Sequence, residues 1–232
     1  YFVQHIQINY FFFTGITLVS LVSFWDDIQS LSNKIRIGIH FLSITLIFYD
    51  LNLFTVVPIW TVLISYILAI GLINAYNFMD GINGITGLYT LVVMGALLYV
   101  NTKIQLFIDG QFIKYPIIAS LVFLFFNYRK KAKCFAGDVG SIAIAFWIIY
   151  LVVKLILVTE SLIWLLFLAV YGVDAICTII HRLYLKQNIF EAHRSHFYQY
   201  LANQKKWNHL AVTVLYVSIQ FLINHLKKSN HE

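Results

Sequence analysis

Charge is what this sequence has least of. Only 11% of its 232 residues are Asp, Glu, Lys or Arg, against 60% hydrophobic, and the mean hydropathy is +0.79. That balance excludes a soluble globular domain, in which about a quarter of residues are charged. Tyr1–Trp25 and Leu51–Met79 contain no Asp, Glu, Lys or Arg at all. A helix crosses a bilayer with about 20 mostly apolar residues, so both stretches predict membrane spans. Proline is down to two, Pro58 and Pro116, each near the start of a predicted helix, where it is tolerated. Repeats, low-complexity tracts and Pro/Gly-rich linkers are absent, so a single integral membrane domain, 1–232, is expected. Cysteine is down to two, Cys134 and Cys177. Both fall on the face assigned below to the reducing cytoplasm, which predicts free thiols. No charged segment with a cleavage site opens the chain as a secretory signal would. It opens on Tyr1, almost inside an apolar run, and the expectation is a piece of a longer protein.

What is present is apolar runs broken by short polar intervals. They predict an all-α, polytopic transmembrane protein of about eight helices: 8–24, 36–49, 54–74, 84–101, 114–127, 140–158, 161–180 and 209–226. The second and fifth are short for a full crossing. Placing Lys34, Arg36, Arg129, Lys130, Lys131, Lys133, Arg182, Lys186, Arg194, Lys205 and Lys206 on one face leaves Lys103, Lys114, Lys154, Lys227 and Lys228 for the other. The richer face is cytoplasmic by the positive-inside rule. The net charge of +6 is accounted for by these short loops and needs no nucleic-acid partner.

Four polar constellations share that face. Asp26-Asp27 follows an apolar helix, and a carboxylate pair at a membrane boundary binds Mg²⁺ or accepts a proton, unless it is an ordinary solvated helix end. Asn74-Ala-Tyr-Asn77-Phe-Met-Asp80-Gly81-Ile-Asn83-Gly84 is costly in hydrocarbon unless it lines a polar cavity. Its glycines allow close backbone approach to a phosphate and Asp80 can hold a neutralising metal. Lys133-Cys-Phe-Ala-Gly137-Asp138-Val-Gly140-Ser141 opens a helix whose free N–H groups suit an anion. Asp138 would repel a phosphate without a cation between them, so Mg²⁺ is inferred, with Mn²⁺ as the substitute ion; the bland reading is an N-cap. Glu191-Ala-His193-Arg194-Ser195-His196-Phe-Tyr198-Gln199 suits a diphosphate or sugar, and no third close ligand favours zinc. Asp174, within an apolar helix, is a functional candidate or the partner of Arg182.

In this order, the four motifs resemble the polyprenyl-phosphate N-acetylhexosamine-1-phosphate transferases of glycosyltransferase family 4, from about Phe24 to Gln199. The resemblance implies a polytopic helical enzyme of the bacterial inner membrane, a cytoplasmic UDP-N-acetylhexosamine, Mg²⁺, undecaprenyl phosphate as acceptor and UMP as product. It implies metal binding by Asp138 and Asp80, catalytic roles for Asp26, Asp27, Asp80, His193 and His196, and substrate contacts from Asn74, Asn77, Asn83, Lys133 and Arg194. A homodimer is compatible with it. The A-H-R-S-H form of the histidine loop looks like the branch that starts O-antigen or capsule chains, rather than the related phospho-MurNAc-pentapeptide translocases. Asn83 stands where many members have a second aspartate, Arg129-Lys130-Lys131 replaces a proline-containing segment, and the family's first helices are not in this sequence. Direct attack and a covalent aspartyl intermediate are both open. A transporter built on the same acids would need inverted repeats, which are absent, and a midplane site. A structural subunit would leave the Gly-Asp loops unexplained.

Overall fold

Each of the eight apolar runs contains a helix in the structure, a computed structural model that describes residues 9–188 and 194–226. They are α1 Tyr10–Ile28, α2 Asn33–Asp50, α3 Leu53–Val56, α4 Ile59–Met79, α5 Ile85–Lys103, α6 Gly110–Asn127, α7 Gly137–Thr159, a 3₁₀ segment Leu162–Leu168, α8 Ala169–Tyr184, α9 Phe197–Gln199, a π segment Tyr200–Gln204 and α10 His209–Leu226. Among the described residues there is no strand. Among the described residues, six helical stretches are long and apolar enough to cross a membrane: α1, α4, α5, α6, α7 and Leu162–Tyr184. The protein is an integral membrane protein. Large apolar side chains face outward along these helices, Trp60, Ile67, Phe125 and Ile176 among them. Each such surface would be unfavourable in water at about 25 cal/mol per Å² and is at home in hydrocarbon.

The departures from the predicted boundaries have local causes. The run expected as one helix, 54–74, is cut into α3 and α4 at Pro58. Val57 before it is extended, as a residue preceding proline is pushed to be, and the Pro58 carbonyl then accepts from the Thr61 and Val62 N–H groups to start α4. α4 runs on to Met79, so Asn74 and Asn77 lie on a helix rather than in a loop. α6 begins at Gly110, with the Asp109 carboxylate accepting from the Gln111 N–H at 2.9 Å. Pro116 therefore lies inside the helix and not near its start. The run 161–180 divides at Leu168/Ala169, where 3₁₀ passes to α. Polar backbone exposed by such a break needs a partner in hydrocarbon. Gln220 supplies it, donating to the Leu166 carbonyl at 2.9 Å and accepting from the Val170 N–H at 3.1 Å.

The chain forms two compact units. One comprises Tyr1–Asn74 with Gly137–Tyr150, the other Ala75–Ala136 with Leu151–Glu232. In the first, Gly15 on α1 lets Phe146 of α7 approach so closely that a Cβ there would stand 2.7 Å from Cζ of the ring. Phe12 packs on Phe146, Trp147 and Tyr150 at ring-centroid distances of 5.7, 5.0 and 4.8 Å. In the second, Tyr89 of α5 stacks on Tyr171 of α8 at 3.7 Å and donates its hydroxyl to Gln220 Oε1 at 2.7 Å. The buried phenol of the inner helix is thus tied to the same glutamine that mends the helix break.

Candidate active site

In the first unit, α1 delivers Asp26 and Asp27 in its last turn, α2 delivers Arg36 in its first, and α7 delivers Asp138 in its first. Asp26 folds the connection that brings α2 close, its Oδ1 accepting from the Leu31 N–H at 2.6 Å. Its other oxygen pairs with Arg36 Nη1 at 3.0 Å, and Arg36 Nη2 reaches Asp138 Oδ2 at 3.4 Å. Asp27 Oδ1 accepts from the Asp138 N–H at 3.3 Å across 111 residues of sequence. A carboxylate from another helix thus caps α7, where the positive dipole end favours an anion. Gly137 makes this approach possible: its φ is +61° and a Cβ would stand 3.0 Å from Asp27 Oδ2. Asp138 is accordingly not the N-cap, and its side chain, 24% exposed, is directed to Arg36.

Three carboxylates and one guanidinium around a helix N-terminus can neutralise and orient a phosphate with a cation. Among the described residues, no three His, Cys, Asp or Glu side chains converge as a ready-made metal site. Mg²⁺ is commonly held by one or two carboxylates completed by substrate phosphates and water. The all-oxygen donors of Asp26, Asp27 and Asp138 fit that ion.

In the second unit, a different centre forms around Asp174. Its Oδ1 accepts from His196 Nδ1 at 3.1 Å, from Thr178 Oγ1 at 3.2 Å and from the Phe197 N–H at 3.1 Å, while Tyr216 donates to Oδ2 at 2.5 Å. These are the bonds that let a carboxylate remain in an apolar helix. Arg182 donates instead to the Asn188 carbonyl at 2.6 Å and to Gln187. Beside this centre is a groove of about 840 Å³, with Val170, Val173 and Ile219 on its apolar side and Asp174, His181 and Arg194 on its polar side. Tyr198 links the histidine loop to the Asp80 loop. Its hydroxyl donates to the Phe78 carbonyl at 2.7 Å, and its ring fills the space a side chain at Gly81 would need. Burial, together with the Asp80 and Asp174 charges, pushes the Tyr198 phenol above its ordinary value, so it stays a donor.

The structure sorts the sequence-predicted residues. Asp26 and Asp138 are joined through Arg36, and Asp27 meets the Asp138 N–H. Asp80 ends the α4 turn, its N–H donating to the Asn77 carbonyl at 3.2 Å. His196 is buried on Asp174, whereas Arg194 is exposed along the groove. Asn74 donates to the Ile70 carbonyl of its own helix at 2.8 Å. Asn83 donates to the Arg129 carbonyl at 2.7 Å, and next to it Gly84, at φ +84°, gives its N–H to Asn127 Oδ1 at 2.6 Å. Lys133 is exposed. His193 lies outside the described residues. Sequence reading assigned no chemistry to Arg36, Thr178 or Tyr216. Thr178 had a signal, the i,i+4 spacing from Asp174; Arg36 and Tyr216 had none.

Comparison with known proteins adds the remaining observation. A family model described as Glycosyl transferase family 4 matches residues 9–156. The chain is 30% identical over 149 residues to a phospho-N-acetylmuramoyl-pentapeptide-transferase of Streptococcus sanguinis, covering 56% of this chain and 45% of that protein. It is 28% identical over 162 residues to a probable undecaprenyl-phosphate N-acetylglucosaminyl 1-phosphate transferase of Bacillus subtilis, covering 64% and 42%. A putative glycosyltransferase of Methanocaldococcus jannaschii is 26% identical over 178 residues, covering 72% and 54%. The chain thus spans about half the length of these curated relatives.

Proposed function

Because this chain belongs to glycosyl transferase family 4, we propose that it transfers an N-acetylhexosamine 1-phosphate from a UDP-sugar to a polyprenyl phosphate such as undecaprenyl phosphate. UMP is released, and the lipid-diphosphate sugar starts a cell-surface glycan. The observation that carries this reading is that Arg36 joins Asp26 to Asp138 while Asp27 accepts from the Asp138 N–H at the start of α7. The names of the Streptococcus and Bacillus relatives, both sugar-phosphate transferases, support the reaction class. The groove of the second unit supports the acceptor, since a charged end beside an apolar wall suits a phosphate on a long hydrocarbon chain. The Lys/Arg bias of the loops supports a cytoplasmic active face in the bacterial inner membrane.

In the proposed step, an oxygen of the lipid phosphate bonds to the sugar-linked phosphorus as the bond to the UMP oxygen breaks, and that electron pair leaves with UMP. Both reactants are anions, so charge neutralisation and in-line positioning are the main demands. When bound, Mg²⁺ would neutralise the diphosphate and stabilise the leaving group. Asp138 would hold it, with Asp27; for Asp80 the metal role rests on the resemblance alone. Asp26 uses one oxygen on Leu31 and the other on Arg36, which makes it an orienting group. A phosphate monoester loses its second proton near pH 6, so the acceptor needs little help from a base. Arg194, on the polar side of the groove, would meet the lipid phosphate.

Membranes carrying the protein, given Mg²⁺, polyprenyl phosphate and either UDP-GlcNAc, UDP-GalNAc or UDP-MurNAc-pentapeptide, should release UMP and form a lipid-linked product with one donor. No UMP from any of these donors would sink the transferase reading. The acceptor site has its own check. In Cys134→Ser the chain keeps one thiol, Cys177, which lines the groove. Polyprenyl phosphate should slow its labelling by a maleimide, whereas inorganic phosphate should not.

A further inference from the structure

His196 stands in the histidine loop beside Arg194, yet the two meet different surroundings. Arg194 is exposed along the groove, while His196 is 2% exposed and its Nδ1 faces Asp174 Oδ1 at 3.1 Å. Asp174 also accepts from the Phe197 N–H and Tyr216, so it acts as an acceptor and the Nδ1 proton belongs to the imidazole. The His196 N–H in turn takes Gln199 Oε1 at 3.2 Å, which closes the first turn of α9. Two residues on, Tyr198 is fully buried, donates to the Phe78 carbonyl and occupies the space over Gly81. A continuous set of contacts therefore runs from Asp174 on α8 through His196 and Tyr198 to the backbone on either side of Asp80.

We propose that His196 is the pin of a lock, with Asp174 and Tyr198 as positioning residues that hold the histidine loop against the Asp80 loop. Among the described residues of that loop, Arg194 is then the one left to contact phosphate. The proposal rests on the transferase reading for what the lock serves, though not for its existence. Three features distinguish it from a phosphate-binding role for His196. The imidazole is 2% exposed with Nδ1 on a carboxylate, so a phosphate could reach its other nitrogen only by opening the packing around the ring. The carboxylate holds the loop through its backbone as well, at Phe197. Finally, Gly81 is required by the clamp itself, because a Cβ there would stand 2.1 Å from the Tyr198 hydroxyl oxygen.

The test compares Asp174→Asn, His196→Asn, their double variant and Arg194→Ala, in turnover and in trypsin cleavage after Arg194 or Lys205. With a lock, Asp174→Asn and His196→Asn each lower kcat on the order of tenfold or more, leave both KM values within about twofold, and combine to no more than the larger loss. Arg194→Ala instead raises KM for the lipid phosphate. Cleavage speeds up in both lock variants, roughly fivefold or more, because local opening exposes the loop. A rise in KM for His196→Asn that Asp174→Asn lacks, or losses that multiply, overturns the proposal. So does cleavage at the wild-type rate. Should the strong variants not accumulate, Thr178→Val and Tyr216→Phe each remove one donor to Asp174 and are expected to move kcat and cleavage the same way by smaller factors; no movement in either refutes the lock. If wild type never releases UMP, the transferase reading fails, while cleavage still decides the lock.

Discussion

Three carboxylates stand in the first unit's centre and one in the second's, and the two units treat them in opposite ways. Around Asp138 the acids stay partly open, with side chains 10% and 24% exposed for Asp26 and Asp138, joined through one arginine. Around Asp174 the carboxylate is 6% exposed and surrounded by neutral or weakly basic donors from α8, α9 and α10. An arginine bridge in contact with water contributes little to stability and is readily exchanged. A desolvated carboxylate with four donors is expensive to disturb. The first arrangement suits a group that must meet a charged ligand; the second suits one that must hold structure. The family match reaches from residue 9 to 156 and includes the first arrangement only.

The contrast is broken most directly at Asp138. Asp138→Asn should lower UMP release by about 10³-fold or more, the order expected when electrostatic stabilisation of a phosphoryl transfer is removed, with a melting midpoint in detergent within a few degrees of wild type. A large loss of stability instead would make Asp138 structural. Asp174→Leu should do the reverse in kind, costing about 3–5 kcal/mol because it strands Tyr216, Thr178, His196 and the Phe197 N–H; thermal unfolding in detergent measures it. Gly137→Ala is intermediate. Positive φ and the Asp27 contact predict about 1–2 kcal/mol of strain and a fall in turnover at the Asp138 site. Arg36→Gln should change stability by less than about 1 kcal/mol, while shifting the Mg²⁺ concentration for half-maximal turnover. The smallest effect is one of pH. The folded state keeps Tyr198 protonated above its ordinary value near 10, so the stability it contributes is complete below about pH 10 and is lost as pH rises beyond it. Tyr198→Phe should flatten the decline in stability above pH 10.

Much of the helical framework was legible because hydrocarbon leaves so few options: a run without charge is a helix there. Pro58 and the helix break at Leu168/Ala169 were harder. Each lies inside a continuous apolar run, and only the distant Gln220 reconciles the second with its surroundings. Within the candidate site, Asp27 and Asp138 were visible as motif acids, but the cap that unites them depends on packing across 111 residues. Arg36 was hidden by a competing explanation, since loop topology already accounted for its charge. Asn74 and Asn83 have a structural use beside the substrate contact expected of them. Polar side chains in an apolar chain invite a ligand, and both spend hydrogen bonds on backbone carbonyls. Asp174 was expected either to act or to pair with Arg182, nearby in sequence. Apart from Thr178 one turn on, its partners come from the start of α9 and from α10, whose placement no local pattern encodes.

Gln220 also bears on how the protein is made. While the ribosome is still upstream of α10, the stretch Leu162–Tyr184 enters the bilayer with the Leu166 carbonyl, the Val170 N–H and the Tyr89 hydroxyl lacking the side chain that later joins them. The broken helix is therefore an unfinished product until α10 inserts. Gln220→Leu is expected to leave nascent chains exposed to membrane quality-control proteolysis even though every span is present, and pulse-chase labelling would reveal it as a shortened lifetime after synthesis.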